Sequence, residues 1–139
     1  MTDSFKTVLL VDDDLTLREM YAERFKAEGF TVDTAHDGED ALVKAGQDNP
    51  NIILLDIMMP KINGLDVLKK LKEQPETKDI PVIVLTALIQ DREREEATKL
   101  GAVDYVVKSE TMPGEVIEKI HHALDDTAAK PETPAAPAN

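Results

Sequence analysis

Four stretches of this sequence place a chemically capable side chain directly after a short apolar run. Asp12, Asp13 and Asp14 follow Thr7-Val8-Leu9-Leu10-Val11, and Asp56 follows Ile52-Ile53-Leu54-Leu55. Thr86 follows Val82-Ile83-Val84-Leu85, and Lys108 follows Val103-Asp104-Tyr105-Val106-Val107. No matching polar set stands at the amino ends of these runs. Two carboxylates ~5 Å apart at an effective dielectric near 20 repel by about 3 kcal/mol, so a crevice shared by several needs a cation, and one lysine is not enough. Oxygen ligands of this hardness favour Mg²⁺, which keeps some of its waters and takes one or two carboxylates plus a phosphate oxygen. A metal clamp, a carboxylate, a hydroxyl and an ammonium around one point suit a phosphoryl group in transfer. The central carboxylate can itself be the nucleophile and form an acyl phosphate.

For these groups to meet, the runs must be strands whose carboxyl ends share one edge. The apolar runs alternate with segments of helical period, the pattern of a parallel sheet covered by helices on both faces. The first, third and fourth runs are apolar almost throughout and read as central strands. Thr31-Val32-Asp33-Thr34-Ala35, with an aspartate inside it, reads as an edge. Leu17, Met20, Tyr21 and Phe25 predict a first helix stopped by Gly29. Asp37 predicts the cap of a second helix carrying Ala41, Leu42 and Ala45. Leu65, Leu68 and Leu71 mark a third, Asp91 to Leu100 a fourth stopped by Gly101, and Val116, Ile117, Ile120 and Leu124 a fifth with Pro113 near its start. In such a doubly wound α/β fold the ligand sits at the carboxyl ends of the strands.

Composition narrows the function. The 139 residues suit one domain, and 28 acidic against 16 basic residues give a net charge of −12. That acidity argues against direct nucleic-acid binding and for cationic or basic partners. The absence of cysteine excludes a disulfide framework, a zinc ribbon and a thiol nucleophile. No apolar run approaches the length of a membrane span, and Met1-Thr2-Asp3-Ser4 lacks a secretion signal, so a cytoplasmic protein is expected. Residues 126–139, with five Ala and three Pro, read as a disordered tail after a folded unit of residues 1–125. Asp14 is expected to be a helix cap, and His36, His121 and His122 to be surface residues. The run Asp91 to Glu96 reads as a solvated helix face.

Together, Val11-Asp12-Asp13-Asp14, Leu54-Leu55-Asp56-Ile57-Met58-Met59-Pro60 followed by Gly64, Val84-Leu85-Thr86-Ala87 and Tyr105-Val106-Val107-Lys108 resemble the receiver domains of two-component response regulators, most closely the single-domain, chemotaxis-regulator-like kind. The resemblance covers residues 5 to 125 and implies a flavodoxin-like sheet of strand order 2-1-3-4-5 with five helices. It implies that Asp56 accepts phosphate from a histidine kinase or phosphotransfer protein, and that Asp12, Asp13 and Asp56 hold Mg²⁺ with the backbone carbonyl of Met58. Thr86 would hydrogen-bond a phosphoryl oxygen, Lys108 would pair with another, and Tyr105 would turn inward as Thr86 moves. The altered surface would be the fourth helix, fifth strand and fifth helix, which would meet a downstream protein. Such a chain catalyses only its own phosphorylation and dephosphorylation.

The sequence departs from the family at Ser109, where proline usually follows the lysine. Met58 and Leu88 occupy positions that tune phosphoryl loss in the family; both are apolar, which predicts hindered water attack and a long-lived phosphorylated form. Two alternatives remain open. One is a receiver cut from a longer DNA-binding regulator, with Pro131, Pro134 and Pro137 beginning the linker. The other is an aspartate-nucleophile phosphatase, which needs a second aspartate where Met58 stands. No Gly-rich turn follows Val11, which disfavours flavin or dinucleotide binding.

Overall fold

The computed structural model describes residues 6–57, 59, 63–86, 91–108 and 112–129, with the backbone alone at 91, 113 and 125–129. Met58, Leu88, Ser109 and the tail from residue 130 lie outside the described residues. Strands and helices alternate as β1 (Thr7–Val11), α1 (Leu15–Ala27), β2 (Thr31–Ala35), α2 (Gly38–Asp48), β3 (Ile52–Asp56), α3 (Gly64–Glu73), β4 (Val82–Thr86), α4 (Asp91–Lys99), β5 (Asp104–Val107) and α5 (Pro113–Ala129). The five strands form one parallel sheet in the order β2-β1-β3-β4-β5, as expected.

The continuous apolar runs are explained by burial on both faces. Leu9, Val11, Ile53, Leu55, Val82 and Val84 pack on one face against Ala41, Val67, Leu68, Leu71 and Ala97 from α2, α3 and α4. Val8, Leu10, Ile52, Leu54, Ile83 and Leu85 pack on the other against Tyr21, Phe25, Val116, Ile117 and Ile120 from α1 and α5. Period-two alternation thus divides each central strand between two cores. β2, predicted as an edge, is one, and β5 is the other.

Local signals set the helix ends. Asp37 Oδ1 accepts from Asp40 N at 2.9 Å and caps α2. After α1 and α4 the chain turns through Gly29 (φ 99°) and Gly101 (φ 106°), a conformation that costs an L side chain about 1–2 kcal/mol. Several boundaries differ from the sequence reading. β3 and β4 each run one residue further and contain Asp56 and Thr86, because ladder pairing continues through them. Val103 precedes β5 and is 54% exposed. α5 continues to Ala129, four residues into the predicted tail, through Thr127-Ala128-Ala129, where alanine's high helix propensity favours continuation. Among the described residues no helix is long and apolar enough to cross a membrane.

Candidate functional site

The ends of β1, β3, β4 and β5 converge as the sequence predicts, and each polar side chain is fixed by the element that delivers it. Asp12 is wholly buried at the end of β1, and its N–H donates to Ala35 O at 3.1 Å, extending the ladder by one residue. Its Oδ1 accepts from Asp14 N at 3.0 Å, and its carbonyl accepts from Arg18 Nη1 at 2.7 Å. Asp14 caps α1, accepting from Leu17 N at 3.1 Å, so it turns away from the pocket into the role expected of it. Asp13, between them, is exposed.

Asp56 closes β3 and is 2% exposed. The chain returns close beneath it: Gly64 N donates to Ile57 O at 3.2 Å, and Asn63 Oδ1 caps α3 by accepting from Leu65 N at 2.7 Å. A Cβ on Gly64 would lie 2.3 Å from Ile57 Cα and 2.4 Å from Asp56 O, so only glycine permits this approach. Thr86 is wholly buried at the end of β4, and its carbonyl accepts from Lys108 N at 2.7 Å. That bond ties the Thr86 and Lys108 backbones together.

The Lys108 ammonium lies 3.0 Å from Asp12 Oδ2 and 3.1 Å from Asp56 Oδ2. Burial pushes the ammonium toward its neutral form, but hydrogen bonding and attraction from Asp12 and Asp56 outweigh it and leave its pKa above the ordinary lysine value. Burial likewise pushes the Tyr21 phenol up; Lys108 opposes that shift and Asp12 adds to it.

Ligand oxygens of Asp12, Asp13 and Asp56 all lie within 4.8 Å of one another. Three carboxylates gather about one ammonium, with the Arg18 guanidinium on the Asp12 carbonyl, and still leave an excess of negative charge at a largely buried point. Asp12 Oδ2 is buried, and its partner among the described residues is the Lys108 ammonium, which Asp56 shares. An all-oxygen donor set in which one ammonium serves two buried carboxylates fits a hard divalent cation. The same pocket joins a nucleophile-capable carboxylate to an ammonium, with Thr86 at the adjoining strand end, a set of groups suited to phosphoryl transfer.

Tyr105 lies on β5 opposite Val84, two positions along from the Thr86–Val107 pair, so it shares the sheet face of Thr86. His36, His121 and His122 are on the surface, as expected. Sequence reasoning missed Arg18 and Asn63. Asn before Gly-Leu and a helical pattern is a capping signal that could have been read. Arg18 meets a backbone carbonyl, which leaves no mark in sequence.

The response regulator receiver domain family model matches residues 8–121. A probable transcriptional regulator, ycf27, of Cyanophora paradoxa is 43% identical over 103 residues, covering 74% of this chain and 42% of that protein. The phosphate regulon transcriptional regulatory protein PhoB of Rhizobium meliloti is 34% identical over 125 residues, covering 90% of this chain and 54% of the relative. The chain therefore spans about half, or less, of these curated relatives. Among solved structures, a CheY-like response regulator receiver domain protein from Methanospirillum hungatei superposes with a TM-score of 0.85 at 26% identity, covering 91% of this chain and 99% of that one.

Proposed function

The chain belongs to the response regulator receiver domain family, and from that premise we propose that it is a phosphorylation-activated signalling switch, cytoplasmic, whose output is binding and not turnover. Asp56 accepts a phosphoryl group from a histidine kinase or phosphotransfer protein. The carboxylate oxygen attacks phosphorus, the phosphorus–nitrogen bond of the phosphohistidine breaks as the acyl phosphate forms, and the imidazole leaves with the bonding pair. The Thr86 hydroxyl donates to one phosphoryl oxygen, and Lys108 moves from its two carboxylates toward another. Asp12, Asp13 and Asp56, with the Met58 carbonyl, would hold Mg²⁺, which when bound offsets the charge of the incoming anion.

The observation that carries this reading is the trio Asp12, Asp13 and Asp56 within 4.8 Å, with Lys108 against two of them. A phosphoryl group adds about −1.5 to −2 charges, enough to redraw Thr86 and Lys108 and bias a two-state loop. The surface that changes is α4, β5 and α5, where a downstream protein binds.

Incubation with acetyl phosphate or beryllofluoride, with and without Mg²⁺, tests this by intact mass and by binding. An adduct that needs Mg²⁺ and is lost in Asp56→Ala is the expected result. Labelling that survives Asp56→Ala, or forms equally in chelator, would defeat it. A second reading, a receiver that works within a longer transcriptional regulator, is favoured by the relatives' names and lengths. It keeps the same chemistry and changes the output; the length of the wild-type gene decides between them.

A further inference from the structure

α4 carries Arg92-Glu93-Arg94-Glu95-Glu96, which by composition alone is a solvated face, and Arg94 is indeed exposed. Its guanidinium carbon nevertheless lies 4.7 Å from the centroid of the Tyr105 ring. Glu93 and Glu95 neighbour Arg94 in sequence but point elsewhere around the helix, while its turn-spaced neighbours toward the C-terminus are the uncharged Ala97 and Thr98. Val82 and Val84 turn toward the face covered by α3 and α4, and Tyr105 packs on that same face. Beside the ring, between α4 and β5, is a cavity of about 150 Å³ lined by Arg94, Ala97, Thr98, Ala102 and Tyr105 among others. The ring therefore sits between a cation on its face and unfilled space at its side.

We propose that Arg94 is a positioning residue that latches Tyr105 in the phosphoryl-free arrangement, so that this cation–π contact sets how readily the switch turns. The proposal rests on the reading of Asp56 as phosphoryl acceptor with Thr86 and Tyr105 coupled to it. To move toward Thr86 the ring must leave the guanidinium, unless Arg94 follows. A cation over a partly exposed ring biases the resting arrangement by roughly two- to fivefold. Such a bias leaves a minor turned population that phosphorylation can draw on.

The test uses the full chain labelled with 3-fluorotyrosine. The sequence holds two tyrosines, Tyr21 and Tyr105, so two ¹⁹F resonances are expected, and Tyr105→Phe assigns them. Beryllofluoride is titrated at saturating Mg²⁺ into wild type, Arg94→Ala and Arg94→Lys. Arg94→Ala should shift the free Tyr105 resonance toward its beryllofluoride-bound position and lower the half-saturating beryllofluoride concentration roughly two- to fivefold. Arg94→Lys, which keeps a cation, should fall between. A half-saturation in Arg94→Ala equal to that of wild type, with beryllofluoride still moving Tyr105, overturns the latch and spares the switch. If beryllofluoride binds but moves Tyr105 in none of the three proteins, the coupling of Asp56 to Tyr105 fails and the latch falls with it. If it does not bind at all, the Asp56 reading itself is lost.

Discussion

Two buried carboxylates share one ammonium at the carboxyl edge of the sheet, and strand ends deliver all three groups there. Each of Asp12, Asp56, Thr86 and Lys108 stands at the boundary where an apolar run stops, and a parallel sheet brings such boundaries to one edge. What holds the cluster was less legible. Arg18 reaches a carbonyl, and Tyr21 reads only as a helix-spaced core residue although it feels both Lys108 and Asp12. Tyr21 yields a prediction at this scale. Its folded pKa is raised by burial, so its contribution to stability is whole below the unfolded value near 10 and is lost as pH rises through the folded value. In that window the unfolded chain has released the proton that the folded one keeps, and stability falls with pH. Urea unfolding of wild type and Tyr21→Phe between pH 8 and 11 should show wild type losing ground above about pH 10. Parallel curves for the two proteins would refute a raised phenol.

At the scale of elements, the turn from β3 into α3 sets the position of Asp56. Gly64 was noted in sequence as part of the motif, but its reason is a backbone contact that periodicity does not encode. A methyl there meets Ile57 Cα and Asp56 O, and neither is the end of a flexible side chain. Gly64→Ala should therefore cost about 1–3 kcal/mol of overpacking and displace the nucleophile. Beryllofluoride binding should weaken by about tenfold or more, the equivalent of about 1.4 kcal/mol. Gly46, inside α2, is the control, since a Cβ there meets nothing within 4 Å. Gly46→Ala should stabilise by about 0.5–1 kcal/mol through helix propensity and leave binding unchanged. Denaturant midpoints and beryllofluoride titrations of both variants check the contrast, and equal effects would dismiss the close approach at Gly64. The ends of β3 and β4 and the end of α5, which sequence misplaced, are those where ladder pairing through Asp56 and Thr86 or helix continuation past Asp126 outweighs local pattern. Strand order was correctly expected through the family resemblance, since alternation of strands and helices alone does not fix it.

For the molecule as a whole, a net charge of −12 means that folding confines negative charge, as it does where Asp12, Asp13 and Asp56 meet. A cation bound only by the folded state stabilises by mass action, about 2.7 kcal/mol at a hundred times its dissociation constant. Diffuse screening of the surface also helps, but follows ionic strength and not the identity of the cation. The two separate cleanly. Thermal unfolding should rise with MgCl₂ well beyond the rise given by NaCl at matched ionic strength. Asp13→Asn removes the exposed member of the trio without disturbing the buried Asp12–Lys108–Asp56 contact. In chelator it should melt at or above the wild-type temperature, because repulsion is relieved; in Mg²⁺ it should gain markedly less, so the order of the two proteins reverses. Equal gains in MgCl₂ and NaCl, or an Asp13→Asn protein as responsive as wild type, would mean that these carboxylates hold no metal. The charge offset on which acceptance of a phosphoryl anion depends would then have to come from the chain's own cations, Lys108 first among them.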